Sequence, residues 1–217
     1  MDLLDAIRTR RSVRAFRDEL ISRNVLNAVL SDAANAPSAI NMQPWELHMV
    51  IGEERKRLSR LLIRSFRERK LTCGPGAAHT LPDRFMQRAR ECAELMTPLT
   101  ERMGADFMTY INEGSLNFYG APAVALLFLD ESFPPERMTD IGSFLAYLVL
   151  AATGHGLDSC PIGLVKSYED EVKEHLNIPE SKNLVVTVAL GQAELGAAVN
   201  EFRSSRADLR EFVRWIE

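Results

Sequence analysis

Positive charge is what this sequence most lacks. Its 26 lysines and arginines are outnumbered by 30 aspartates and glutamates, for a formal net charge of -4. That balance argues against a general nucleic-acid binder, which needs surplus cations to replace phosphate counterions. Any basic patch must be local. No run of about 18 apolar residues could span a bilayer, and Asp2, Asp5 and Arg8 interrupt the start before a signal core could form. The expectation is a soluble, cytoplasmic protein with no membrane partner. Cysteine is scarce: Cys73, Cys92 and Cys160 are odd in number and far apart, which suits a reducing compartment better than a disulfide framework. None falls into a zinc-ligand spacing, so no metal site is expected. Internal repeats and low-complexity segments are absent. Regular βαβ alternation is absent too, which favours an α+β sandwich over a doubly wound sheet.

What is present is enough apolar residue, 46% of 217 positions, to bury one sizeable core, and one domain over 1–217 is expected. Leu3, Leu4 and Ile7 share a helical face, and Val25, Leu26, Val29 and Leu30 repeat the pattern behind Ser22, an N-cap residue type. After Pro37 and Pro44, the alternation of Trp45, Leu47, Met49 and Ile51 predicts a half-buried strand. Residues 53–70 read as a charged helix, broken at Cys73 to Gly76, with more helix from Arg84 to Met96. The stretch from about 64 to 112 reads as a helical insertion or lid. Ala123 to Leu129 is continuously apolar, as a mid-sheet strand would be. Ile141 to Gly154 is apolar nearly all round and carries small residues, which predicts a closely packed helix suited to a subunit interface. Asn183 to Leu190 supplies another strand, and Ala207 to Trp215 has helical spacing.

Two segments concentrate chemistry. Arg10, Arg11, Ser12 and Arg14 place four donors in five positions where the first helix ends. Guanidinium forks and a short hydroxyl suit a phosphomonoester, although the same residues also read as a solvated basic turn. Between Pro37 and Trp45, Ser38, Asn41 and Gln43 offer polar tips that could read a heteroaromatic edge or a polyol chain. They read equally as an ordinary loop entering a strand. His155, between two glycines, reads as a helix cap and not a ligand. His79 and Cys73 lack metal-binding partners at usable spacing, and Phe118 and Tyr119 read as core.

The run Arg10 to Phe16, followed by Pro37-Ser38 and Gln43-Pro44-Trp45, resembles the N-terminal signature of the nitroreductase family. Gly120-Ala121-Pro122, Gly154-His155-Gly156-Leu157, Asp158 to Gly163 and finally Arg206 follow in that family's order. The resemblance implies a three-layer α+β sandwich, with a mainly antiparallel sheet between helices, that forms a homodimer binding FMN in a groove built by both subunits. By the same resemblance, Arg10, Arg11 and Ser12 hold the phosphate and ribityl end and Arg206 completes the clamp. Arg14 approaches the N1 and C2 carbonyl edge, where a cation stabilises the reduced ring. Pro37, Ser38 and Asn41 line the ring and ribityl chain from the partner subunit, while Pro161, Ile162 and Gly163 pass over the ring and direct a backbone N–H at N5. Two departures from the pattern stand out: Ser204 and Ser205 lie where many relatives carry a lysine, and Asn117 lies where some place a basic residue near the ring.

The implied activity is hydride transfer from NADH or NADPH through FMN to a small electron-poor acceptor, a nitroaromatic or quinone, by a ping-pong mechanism. The protein supplies no catalytic side chain, because the flavin performs the redox step. The alternative on the same fold is a specialised reaction such as flavin fragmentation or reductive dehalogenation. The alternative from a different class is a non-enzymatic nucleotide or nucleic-acid binding module.

Overall fold

The computed structural model describes residues 2–72, 74 and 80–217. Four strands form one antiparallel sheet: β1 (Trp45–Ile51), β2 (Ala123–Asp130), β3 (Asp158–Ile162) and β4 (Lys182–Gly191), in the spatial order β1-β2-β4-β3. β2 is buried along seven consecutive residues because β1 and β4 flank it and helices cover both faces, the setting in which a strand loses its apolar–polar alternation. The expected mid-sheet position of this strand is what the fold shows.

The helices sort onto the two faces. On one lie α2 (Arg23–Ala33) and α6 (Met138–Gly154), whose Leu26, Val29, Phe144 and Leu148 pack against Ala125, Leu127 and Val188 of the sheet. On the other, α3 (Gly52–Arg69), α5 (Phe107–Leu116) and α7 (Glu169–Leu176) enclose Leu58, Leu62, Leu116 and Val172 with Leu126 and Phe128. The result is the expected three-layer sandwich. α1 (Leu3–Thr9) buries only Ala6. α4 (Asp83–Arg102) forms a third cluster in which its Met96 meets Val199 and Phe202.

Local signals account for several boundaries. Ser22 caps α2 by accepting a hydrogen bond from the Val25 N–H at 3.3 Å. α3 ends where Lys70 turns left-handed at φ 56°. α4 runs past the expected end at Met96 to Arg102, with Pro98 inside it. His155 is the C-cap of α6, as expected, and its Nε2 meets Asp32 Oδ2 at 2.7 Å, which ties the ends of α6 and α2 together. Phe118 and Tyr119 are core residues, again as expected. The break expected at Cys73 to Gly76 lies largely outside the described residues, as do Cys73 and His79 themselves.

The tail departs from its helical spacing. Only α8 (Leu209–Phe212) is helical, capped reciprocally by Asp208 and Glu211. Leu209, Phe212, Trp215 and Ile216 are all exposed, so among the described residues these side chains find no apolar surface that would hold a longer helix. Among the described residues, no helix is long and apolar enough to cross a membrane.

Candidate functional site

Residues 10–17 run beside β3 as an added edge. Ser12 bridges Ser159 in parallel, Phe16 bridges Ala193, and the Val13 N–H donates to the Ser159 carbonyl at 3.0 Å. Val13 and Phe16 are buried in the core, which anchors the segment and leaves Arg14 between them to turn outward. Asn200 fastens it from the other side: its Oδ1 accepts from the Arg14 N–H at 2.9 Å and its Nδ2 donates to the Ala15 carbonyl at 2.8 Å. Tyr110 of α5 completes the hold by donating its hydroxyl to the Arg14 carbonyl at 2.7 Å.

This backbone frame presents Arg10, Arg11, Ser12 and Arg14 to one cavity of about 690 Å³, together with Arg203, Ser204 and Arg206 from the chain after β4. Among the described residues, no acidic one lines it. The Arg11 Nε is buried without a hydrogen-bond partner. Arg203 donates to the carbonyls of Asn200, Glu201 and Phe202, and Arg206 to Ser204 and Ser205. Guanidinium groups converging on one space with no acid among them repel one another, so the cavity suits an anion of more than one charge.

Arg14 also lines a second cavity, of about 500 Å³, shared with Phe16, Tyr110, Gly114, Asn117 and Tyr119. Its guanidinium carbon stands 5.7 Å from the centre of the Phe202 ring. Beneath it, burial pushes the Cys160 thiol up to about 11, although Arg14, Ser12 and Arg10 pull the other way. Burial likewise raises the Tyr119 hydroxyl, which pairs with Ser115 Oγ at 3.1 Å. Phe118 and Tyr119 adopt left-handed backbone angles, φ 53° and 52°, conformations rare for bulky residues and held by surrounding structure. A third cavity, of about 380 Å³, shares Phe16, Asn117 and Gly120 with the second and is also lined by Asp18, Arg55, Lys56, Ser59 and Arg60.

The sequence-predicted residues divide into three places. Arg10, Arg11, Ser12, Arg14 and Arg206 meet in the first cavity. Pro161, Ile162 and Gly163 form the end of β3 and the residue after it, in the strand that carries Ser159. The Ile162 side chain is buried in the core, so its backbone is the part on offer. Space above Gly163 is open, with no atom within 4 Å of where a Cβ would stand. Pro37, Ser38 and Asn41 line none of these cavities. Their loop is held by the Ala39 N–H on Asp140 Oδ1 at 3.3 Å, next to α6. Sequence reasoning missed Tyr110 and Asn200, which act through backbone atoms distant in sequence, and Arg203, which only the folded chain brings to the cavity wall.

Comparison with known proteins agrees with this fold. The profile of the Nitroreductase family matches residues 7–192. Nitroreductase NfnB of Mycolicibacterium smegmatis is 35% identical over 214 residues, 96% of this chain and 90% of that protein. The 4-nitrobenzoate reductase of Pseudomonas putida is 31% identical over 225 residues, 99% of this chain and 96% of that one. The crystal structure of the FMN-dependent nitroreductase NfnB from Mycobacterium smegmatis in complex with NADPH superimposes with a TM-score of 0.89 at 32% identity, covering 99% of this chain and 97% of that chain. With the ordered motifs, the layered sheet and the full-length match to these proteins in agreement, the chain belongs to the nitroreductase family.

Proposed function

We propose that this protein is an FMN-dependent oxidoreductase that passes hydride from NADH or NADPH to an electron-poor acceptor such as a nitroaromatic or a quinone. The observation that carries the reading is the cavity lined by Arg10, Arg11, Arg14, Arg203 and Arg206, which among the described residues has no acid on its walls and leaves the buried Arg11 Nε without a hydrogen-bond partner. A phosphomonoester satisfies that donor set, and Arg10, Arg11 and Ser12 would grip it, with Arg206 swinging from its own loop carbonyls to close the clamp. When held by these residues, FMN would supply the hydride chemistry that links nicotinamide and acceptor in ping-pong order. Arg14 would then stand at the ring edge where negative charge grows on reduction, held there by Asn200 and Tyr110 through its backbone. The backbone of Ile162 and Gly163, with open space above Gly163, would face the ring without adding an ionisable group.

The reading includes a homodimer. Leu3, Leu4 and Ile7 of α1 are exposed, as are Met138 and Tyr147 of α6 beside the small residues Gly142 and Ala146. The two helices touch, so this is a continuous apolar surface of the kind a subunit interface buries. Pro37, Ser38 and Asn41, held near the start of α6 by Asp140, would reach the flavin of the partner subunit. The helices within 64–112 would wall or lid the site. In support, Cys92 of α4 lines the arginine cavity, and Arg88–Glu211 at 2.6 Å and Arg102–Glu201 at 2.7 Å tie α4 to the chain around Arg206.

The test is anaerobic addition of NADH and of NADPH to protein purified with FMN, with the mass in solution measured alongside. Bleaching of the flavin band near roughly 450 nm, followed by recovery with a nitroaromatic, is the expected outcome. A protein that refuses FMN, or whose flavin neither nicotinamide bleaches, overturns the proposal.

A further inference from the structure

The third cavity holds charge that the flavin reading leaves unused. Arg55, Lys56 and Arg60, from the first turns of α3, line it with Ser59, Asn117 and Asp18. Arg55 is only 6% exposed and its Nε is buried with no hydrogen-bond partner. Asp18 and Glu53 act on it electrostatically, yet no ion pair to Arg55 forms among the described residues. A guanidinium group cannot shed its charge to escape burial, so an unpaired one facing a cavity favours an anion there. Arg60 likewise has no ion-pair partner among the described residues, while Lys56 Nζ stands 3.3 Å from Glu53. Ser59 donates to Asn117 Oδ1 at 2.7 Å, which leaves the amide nitrogen as the end of Asn117 able to donate. Asp18 is the one acid among the lining residues.

Position narrows the ligand. Phe16, Asn117 and Gly120 belong both to this cavity and to the one beside Arg14, so a molecule docked against the flavin edge reaches Arg55 without leaving the surface. A nicotinamide dinucleotide separates its nicotinamide from its first phosphate by a single ribose, whereas a neutral nitroaromatic or quinone has no oxyanion to place. We propose that Arg55, Lys56 and Arg60 form an oxyanion subsite for the phosphate groups of the nicotinamide coenzyme. The inference rests on the flavin reading and adds to it the site that holds the donor.

The experiment uses flavin-loaded enzyme, so that the arginine cavity is filled, and inorganic pyrophosphate as the probe. Calorimetry on the wild type is expected to show pyrophosphate binding that weakens about threefold to tenfold in Lys56→Ala and in Arg60→Ala, both exposed enough to leave folding intact, and that tightens in Asp18→Asn. In rapid-reaction traces the same two alanine variants raise the NADPH concentration for half-maximal bleaching by a similar factor. The limiting bleaching rate and the affinity for FMN stay unchanged. Pyrophosphate binding that is absent, or indifferent to all three substitutions, overturns the subsite while a normal bleaching reaction keeps the flavin reading intact. If the variants alter only the half-saturating concentration of a carboxylated acceptor such as nitrobenzoate, with nitrobenzene and NADPH unmoved, the subsite is overturned in favour of an acceptor carboxylate. Failure of the wild type to bleach at all is the separate failure of the flavin reading, and pyrophosphate binding to the loaded protein still decides the subsite.

Discussion

The ring of Tyr119 fills the space in which any side chain at position 114 would have to begin: a Cβ on Gly114 would stand 2.5 Å from Tyr119 Cε1 and 2.7 Å from Cδ1. The ring cannot simply swing aside. It is buried, it stacks on Tyr110 at 6.3 Å, its hydroxyl pairs with Ser115, and its backbone is already left-handed. Alanine improves a helix interior by about 1 kcal/mol over glycine, but overpacking a fixed ring costs about 1–3 kcal/mol. Gly114→Ala is therefore expected to lower the midpoint of urea unfolding, and an unchanged or raised midpoint would show that the ring yields freely.

Phosphate recognition by the arginine cavity predicts a contrast between two ligands. Arg11→Ala and Arg10→Ala remove charged donors to a phosphate, worth about 1.5–3 kcal/mol each, so FMN should bind about 10- to 100-fold more weakly. Riboflavin, which has the same ring and no phosphate, should lose far less. Equal losses for the two ligands, measured by fluorescence quenching, would mean that these arginines do not meet the phosphate.

At Arg14 the expected effect is on potential more than on affinity. Arg14→Gln keeps a donor and removes the charge that favours the reduced ring, so the two-electron midpoint of the bound flavin should fall by roughly 30 mV, about 1.4 kcal/mol. Spectroelectrochemistry against a reference dye reads the shift, and a midpoint that rises or stays fixed counts against the placement.

Cys160 gives a pH dependence with a definite sign. Burial holds its thiol up at about 11, above its ordinary value near 9, so the folded protein favours the protonated form. That contribution to stability is complete below about pH 9 and is lost as pH rises toward 11, to the extent of roughly 2–3 kcal/mol. Cys160→Ala should flatten this limb of the stability curve, leaving the separate decline at higher pH that follows from the raised Tyr119 hydroxyl. Cys92, which is partly exposed, should react with iodoacetamide in the native state at pH 8 while Cys160 stays unlabelled, as peptide mass mapping would show.

The exposed face of α6 predicts an oligomeric consequence. Tyr147→Glu places a charge in the centre of the proposed interface and should shift the sedimenting species from dimer toward monomer, because an unpaired buried charge is costly. A species of unchanged mass would move the interface elsewhere.

Much of the fold is legible where a side-chain pattern meets a one-sided environment. β1 and β2 can be read to within a residue from alternation and from a continuous apolar run, and α3 from its charged face and interrupting glycine region. β3 escapes such a reading, since Pro161 removes a donor and five residues give too little pattern; it is an edge strand of the sheet, where proline is tolerated. α7 is absent from the sequence reading despite Glu169, Asp170 and Glu171 in its first turn and Lys173 in its last, a dipole pattern that could have found it. The arginine cluster is visible as composition, but only the folded chain shows Arg10 and Arg206 lining one cavity. The supports of Arg14 lie beyond sequence reasoning for a physical reason: Asn200 and Tyr110 bind its main chain, and nothing in the identity of residue 14 announces which carbonyl will be grasped.

The stretch that displays the guanidinium groups is also the stretch that closes the β3 side of the sheet, through Ser12 on Ser159 and Phe16 on Ala193. A ligand gripping those arginines thus latches a seam, and its binding energy is shared with the neighbouring backbone. Amide protons of Val13 and Arg17 should exchange with deuterated solvent more slowly in the loaded protein than in the stripped one. Loss of the ligand would loosen the sheet from that margin inward, before the buried middle strand takes notice.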